Sequence, residues 1–129
     1  MRARDRIARA LVNAGIMGKS TALLETVGRK SGEPRVTPVT NGLDGDVFWI
    51  VTEHGATANY VRNIEANPRV RVKAGRGWRV GTARFADDED PLARLDAIVK
   101  RNPRARANAA IVRKDATRLR VIRIDLGRD

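Results

Sequence analysis

At 129 residues with no cysteine and one histidine, the chain is long enough for one domain with a core, but it lacks the thiols of a disulfide framework and the usual ligands of a structural zinc site. An apolar fraction of 42% and a charged fraction of 32% fit a folded globular protein despite a formal net charge of +11, so the charge belongs to the surface. Such a surface suits an acidic partner, yet the basic residues are scattered from Arg2 to Arg128 and aromatic residues make up only 4%, which argues against a nucleic-acid surface built on base stacking.

In chain order, Arg4 to Met17 places Ile7, Ala8, Leu11, Val12 and Ala14 on one helical face with arginines between them. Residues 1–18 are therefore expected to form an N-terminal amphipathic helix that ends at Gly15 and Gly18. Its basic face offers a peripheral contact to an anionic membrane, alongside simple docking on the domain. Arg9, Asn13 and Gly15 interrupt any apolar run of signal-peptide length, and no stretch reaches membrane-spanning length, so the expected location is the cytoplasm, with membrane association through this helix as the variant.

From Thr21 the pattern turns to strands. Ala22 to Val27 leads into V-G-R-K-S-G-E-P-R-V-T-P at Val27 to Pro38, and Arg35 to Thr40 leads out, which predicts a hairpin. Gly28 and Gly32 allow backbone angles that residues with a Cβ avoid, and Pro34 pushes Glu33 toward extended geometry. The turn therefore crowds Arg29, Lys30 and Arg35 together. Two planar forks and a point charge can hold a multiply charged anion; the bland alternative is a solvated basic hairpin.

Asn41 to Asp46 is dense in turn residues, and Val47 to Thr52 is a continuous apolar run expected to be buried on both faces. A loop at Glu53-His54-Gly55-Ala56 precedes a short helix over Asn59 to Asn67, stopped by Pro68. Arg69 to Ala74 alternates as a half-exposed strand with a basic outer face, and Gly75-Arg76-Gly77 turns it into a partner over Trp78 to Phe85. The acids of Asp87-Asp88-Glu89-Asp90 precede Pro91 and the helical positions Leu92, Leu95, Ile98 and Val99, where capping is a better reading than paired-carboxylate catalysis or a cation site. Asn102-Pro103 breaks that helix, Arg104 to Thr117 reads as helix and loop, and Leu119 to Leu126 is a last strand. About six strands with helices at the start and between them make an α+β protein around an antiparallel sheet or small barrel, as one domain over residues 1–129.

Hydrolytic chemistry is poorly supplied. Ser20 and Ser31 are the only serines, neither lies in a nucleophile elbow, and Gly28 to Gly32 lacks the spacing of a phosphate loop. What remains is a loop-built binding site: the cationic turn, the polar loop at Glu53 to Gly55, and the polar, aromatic helix start at Tyr60 to Asn63. A planar cofactor with an anionic tail needs that combination, because the ring wants a flat wall and backbone donors while the tail wants cations.

Leu24-Glu-Thr-Val-Gly-Arg-Lys-Ser-Gly-Glu-Pro-Arg35, followed by Pro38, Asp44-Gly45, the Glu53-His54-Gly55 loop and Tyr60-Val-Arg-Asn-Ile-Glu-Ala-Asn-Pro68, resembles the deazaflavin-dependent nitroreductase family, which are split β-barrel oxidoreductases using coenzyme F420. The resemblance implies that Arg29, Lys30 and Arg35 bind the phosphate and oligoglutamate tail, with Ser31 assisting. It further implies that Thr37, Pro38 and the stretch Thr52, Glu53, His54 and Gly55 line the deazaflavin, and that Tyr60 and Asn63 pack near it. Structural readings stand beside these: Pro38 as a strand edge, Asn63 as a backbone tie, Tyr60 as core. No catalytic side chain is assigned beyond Tyr60 as a candidate. Many members carry a lysine where this chain has His54, and the best-known nitroreductases carry C-terminal tyrosines, whereas this chain has none after Tyr60 and has Asn108 to Asp115 there.

The expected activity is hydride transfer from reduced F420 to an electron-poor small molecule, a quinone, nitroaromatic or activated enone. The alternative is a module that binds the deazaflavin or FMN without rapid turnover. Uncovered sheet faces leave room for a homodimer.

Overall fold

The computed structural model describes residues 19–52, 58–75, 77–114 and 118–127; the expected helix over 1–18 and the Glu53, His54 and Gly55 loop lie outside them. Among the described residues seven strands, β1 (Thr21–Val27), β2 (Pro34–Thr40), β3 (Leu43–Asp44), β4 (Val47–Val51), β5 (Arg69–Lys73), β6 (Trp78–Phe85) and β7 (Val121–Leu126), form one sheet. Its order is β2-β1-β5-β6-β7-β4-β3, and every neighbouring pair is antiparallel. The helices are α1 (Asn59–Ala66), α2 (Pro91–Arg101) and α3 (Arg106–Arg113), with a 3-10 turn at Pro103–Ala105 between the last two.

The additional strand relative to the sequence expectation is β3. Its two residues pair with Val47 and Phe48, inside a stretch whose glycines, asparagine and aspartates read as turn. The weakly patterned region after Asn102 resolves into the 3-10 turn and α3, which buries Ala105, Ala109 and Val112. Small residues give that face little hydrophobic contrast in sequence.

The strand β4 organises the core. Phe48 and Ile50 point into a cluster with Ala22, Leu24, Val61, Ile64, Val70, Val72, Ile122 and Ile124, enclosed by the curl of the sheet and closed at one end by α1. Trp49 and Val51 point the other way, into a cluster with Ala86, Leu95, Ile98, Ala109, Val112 and Val121 beneath α2 and α3. A strand sandwiched in this way must be apolar on both faces, which is why V-F-W-I-V shows no alternation. The guanidinium of Arg94 lies 3.7 Å over the Trp49 ring and that of Arg120 lies 3.7 Å over Phe85, so part of the arginine excess covers aromatic surface.

The acids before α2 divide their work. Asp90 accepts a hydrogen bond from the Leu92 backbone N–H at 3.1 Å and caps the helix, with Pro91 in its first turn. Glu89 pairs with Arg94 instead, and Asp87 takes both prongs of Arg120 at 3.1 and 3.2 Å. The Arg120 hydrogen bonds hold the Asp87 carboxyl below its ordinary value, and Asp87 in turn raises Arg120.

Among the described residues the curled sheet does not close. Its edge strand β2 and the part of β4 beyond β3 line the two sides of one groove, with Tyr60 at one end and Leu95, Ile98 and Val112 on the helical side. Side-chain amides tie the helical segment to the residues just before β1: Asn102 donates to the Lys19 carbonyl at 2.8 Å and Asn108 to the Ser20 carbonyl at 3.0 Å. This split is what positions the site.

Candidate functional site

The β1–β2 turn is built around its glycines, for two different reasons. Gly32 takes φ of 72°, in the left-handed region. Gly28 does not; its role is close approach, since a Cβ there would lie 2.8 Å from Ser31 Oγ and 3.0 Å from the Glu33 carbonyl oxygen. Gly28 N–H donates to the Glu33 carbonyl and Gly32 N–H to the Gly28 carbonyl, each at 2.8 Å, so the loop is internally bonded. Ser31 Oγ accepts from Glu33 N–H at 3.1 Å and from Arg35 Nη2 at 3.3 Å, linking the loop to the first turn-facing cation of β2.

Strand register then decides which side chains converge. Thr26 lies opposite Arg35 and Leu24 opposite Thr37, so Arg35 and Thr37 share the face of Leu24, against which α1 packs Val61 and Ile64. Helix α1 presents Asn59, Tyr60 and Asn63 to the same space. The result is a cleft of about 420 Å³ lined by Gly28, Arg29, Lys30, Ser31, Arg35, Thr37, Asn59, Tyr60 and Asn63 together with Pro34 and Val36. The seam groove, about 140 Å³, adjoins it and shares Thr37 and Tyr60. Pro38 lines that groove, beside Val39, Trp49, Ile50 and Val51.

Of the residues singled out from sequence, Arg29, Lys30, Ser31, Arg35, Thr37, Tyr60 and Asn63 therefore meet in one cleft, and Pro38 in its neighbour. Thr52 stands apart. Its side chain is fully buried, its hydroxyl accepts from Arg120 N–H at 3.1 Å, and its own N–H donates to the Arg120 carbonyl at 2.9 Å, which ties the end of β4 to the start of β7. Glu53, His54 and Gly55 follow it outside the described residues. Asn59 is the polar cleft residue that sequence reasoning passed over; its place four residues before Asn63, on the same helical face, was the available signal.

Part of the basic surface is neutralised by neighbouring acids. Arg79, Arg94, Arg101, Arg113, Arg120 and Arg123 each pair with a carboxylate, to Asp46, Glu89, Asp44, Asp96, Asp87 and Asp125 respectively. None of the ion pairs among the described residues involves Arg29, Lys30 or Arg35. Arg29 is held by amide oxygens and Arg35 by a hydroxyl, acceptors without net charge. Three cations with no carboxylate partner among the described residues, beside an apolar groove, can take a molecule with a multiply anionic end and a flat apolar end. Among the described residues no group of histidine, cysteine, aspartate and glutamate is arranged to hold a metal ion.

A family model described as F420H(2)-dependent quinone reductase matches residues 1–121. Among individual proteins, the F420H(2)-dependent quinone reductase Rv1261c of Mycobacterium tuberculosis is 37% identical over 84 residues, 62% of this chain; the chain spans 56% of that relative's length. Among solved structures, an F420-H2 dependent reductase, FDR-A, superposes with a TM-score of 0.62 at 24% identity, covering 84% of this chain and 94% of its own. The heme storage protein HutZ of Vibrio cholerae does so equally well, with a TM-score of 0.62 at 16% identity over 100% of this chain and 93% of its own. At those identities the structural likeness speaks for the split-barrel fold, and the fold alone is compatible with more than one ligand.

Proposed function

The chain belongs to the F420H(2)-dependent quinone reductase family, and from that premise we propose that it binds coenzyme F420 in the cleft between the β1–β2 turn and α1 and reduces an electron-poor acceptor, a quinone first among them. The observation that carries the reading is the set of cations Arg29, Lys30 and Arg35, gathered in one cleft with no carboxylate partner among the described residues and opening onto the apolar seam. F420 fits that donor set: its phosphate and glutamate carboxylates would meet the three cations, and its ring would lie toward Thr37, Pro38 and Tyr60.

When bound in reduced form, the coenzyme supplies a hydride. The residues of the chain bind and orient. Arg29 and Arg35 hold the anionic end, which fixes how far the flat end reaches along the seam. Ile50, Val51 and Leu95 in the groove keep that end out of water, so positioning does most of the work. A quinone that accepts a hydride also takes one proton; Tyr60, the single tyrosine of the chain, is the phenol shared by both cavities, and water is the other source. Nitroaromatics and activated enones are acceptors of the same electron demand. A homodimer through the sheet face left clear of α2 and α3 accords with this reading, as does a domain-swapped dimer among the chains of similar fold.

Fluorescence titration of the purified protein with F420 and, separately, with FMN tests the cofactor. Saturable binding of F420 that is tighter than FMN is expected, and binding of FMN alone overturns the assignment. Stopped-flow oxidation of the bound reduced coenzyme by menadione then tests turnover. A rate no faster than the protein-free reaction across quinones, nitroaromatics and enones replaces the reductase with a binding module.

A further inference from the structure

We infer that Asn63 is a positioning residue: it presets the Arg29 guanidinium toward the cleft while leaving that cation's charge uncancelled. The inference rests on the proposed function for the identity of the anion, and on the geometry for everything else. Asn63 is only 3% exposed, although it sits on a helix face that borders the cleft. Its Oδ1 accepts from Arg29 N–H at 3.2 Å and from Arg29 Nη1 at 2.9 Å, which uses both lone pairs of the amide oxygen. Its Nδ2 donates to Thr26 Oγ1 at 3.0 Å, so the amide is anchored to β1 on its other side. One helical turn earlier, Asn59 Oδ1 takes Arg29 Nη2 at 3.5 Å. Backbone and side chain of a single arginine are thus gripped by one helix, and the arginine has little freedom left to lose when an anion arrives.

The chemistry of the grip matters as much as its geometry. A carboxylate in place of Asn63 would hold the guanidinium more firmly, as carboxylates hold six other arginines among the described residues. It would also neutralise Arg29 and set a negative charge against the incoming tail. A neutral acceptor orients the cation and keeps its full attraction for the ligand. Asn63 acts through Arg29, and its buried amide oxygen has no capacity left for the coenzyme.

Two variants test this, read by titration with F420 and, in parallel, with inorganic pyrophosphate, and with the thermal midpoint followed for the fold. Asn63→Asp keeps the shape and the acceptors. It is expected to weaken binding of either anion by about tenfold or more and to flatten its salt dependence, because one cation has been cancelled. Asn63→Ala is placed in a double-mutant cycle with Arg29→Ala: binding should fall by about tenfold with Arg29 present and change by less than about twofold with Arg29 absent. Equal losses in both backgrounds overturn the inference, since they mean that Asn63 touches the ligand or acts through the fold. Unchanged binding by Asn63→Asp overturns it as well, and that variant decides alone if Asn63→Ala does not fold. A parent chain that binds pyrophosphate and not F420 sinks the proposed cofactor while leaving this cycle readable; one that binds neither overturns both.

Discussion

The three turn cations do not carry the same mechanical role. Arg29 is clamped by α1 and Arg35 by Ser31, while Lys30 is exposed with no hydrogen bond or ion pair among the described residues. Replacing Lys30 or Arg35 by Ala should weaken F420 binding by about 1 to 3 kcal/mol, as expected for lost charge-assisted bonds, with the thermal midpoint nearly unmoved. Unchanged affinity in both variants removes the tail from this turn. Gly28→Ala should differ in also costing stability. The new methyl meets Ser31 Oγ and the Glu33 carbonyl, so the turn must open, and a loss of about 1 to 3 kcal/mol in denaturant-derived stability should accompany weaker binding. The cations were legible in sequence because charge, glycine and proline are local signals. The clamp was not: Asn63 meets Arg29 and Thr26 only through tertiary packing of α1 on β1, and an asparagine in a helix reads the same whether it grips an arginine or faces water.

At the scale of elements, β4 was readable because a strand buried on both faces must be uniformly apolar, and β5 because one buried face must alternate. The two-residue β3 was not, since its existence depends on the edge of β4 rather than on its own composition. The join between β6 and β7 yields a pH test. Arg120 stacks on Phe85 at the end of β6, pairs with Asp87 just beyond it, accepts from Thr52 N–H at its carbonyl and donates its own N–H to the Thr52 hydroxyl. Because the Asp87 carboxyl is lowered in the folded chain, its contribution is present above its unfolded value near about 4 and is lost as pH falls through the folded one. Asp87→Asn should therefore reduce unfolding stability slightly at neutral pH, and the gap to the parent should close as pH drops below about 4. A gap that persists at low pH assigns the loss to packing.

For the molecule as a whole, 26 basic against 15 acidic residues made an acidic partner the natural expectation without saying where it binds. Tertiary structure narrows the choice by gathering Arg29, Lys30 and Arg35 into one cleft, where none of the ion pairs among the described residues reaches them. Among the described residues no helix is long and apolar enough to cross a membrane. The barrel's split was legible only through the family resemblance, because whether a curled sheet closes depends on the relation of strands far apart in sequence. That split has a dynamic consequence. Strand β2 carries Arg35, Thr37 and Pro38, is hydrogen-bonded to a neighbouring strand along one side alone among the described residues, and forms one wall of the cleft and its adjoining groove. Its amide hydrogens should exchange with deuterium sooner than those of the central strands β6 and β7. Saturation with F420 should then slow exchange across residues 35–40 and leave the centre of the sheet as it was; equal protection with and without the coenzyme would mean that the seam breathes independently of its ligand. If the expected pattern holds, the bound coenzyme serves as a latch, completing from outside the wall that the chain leaves open.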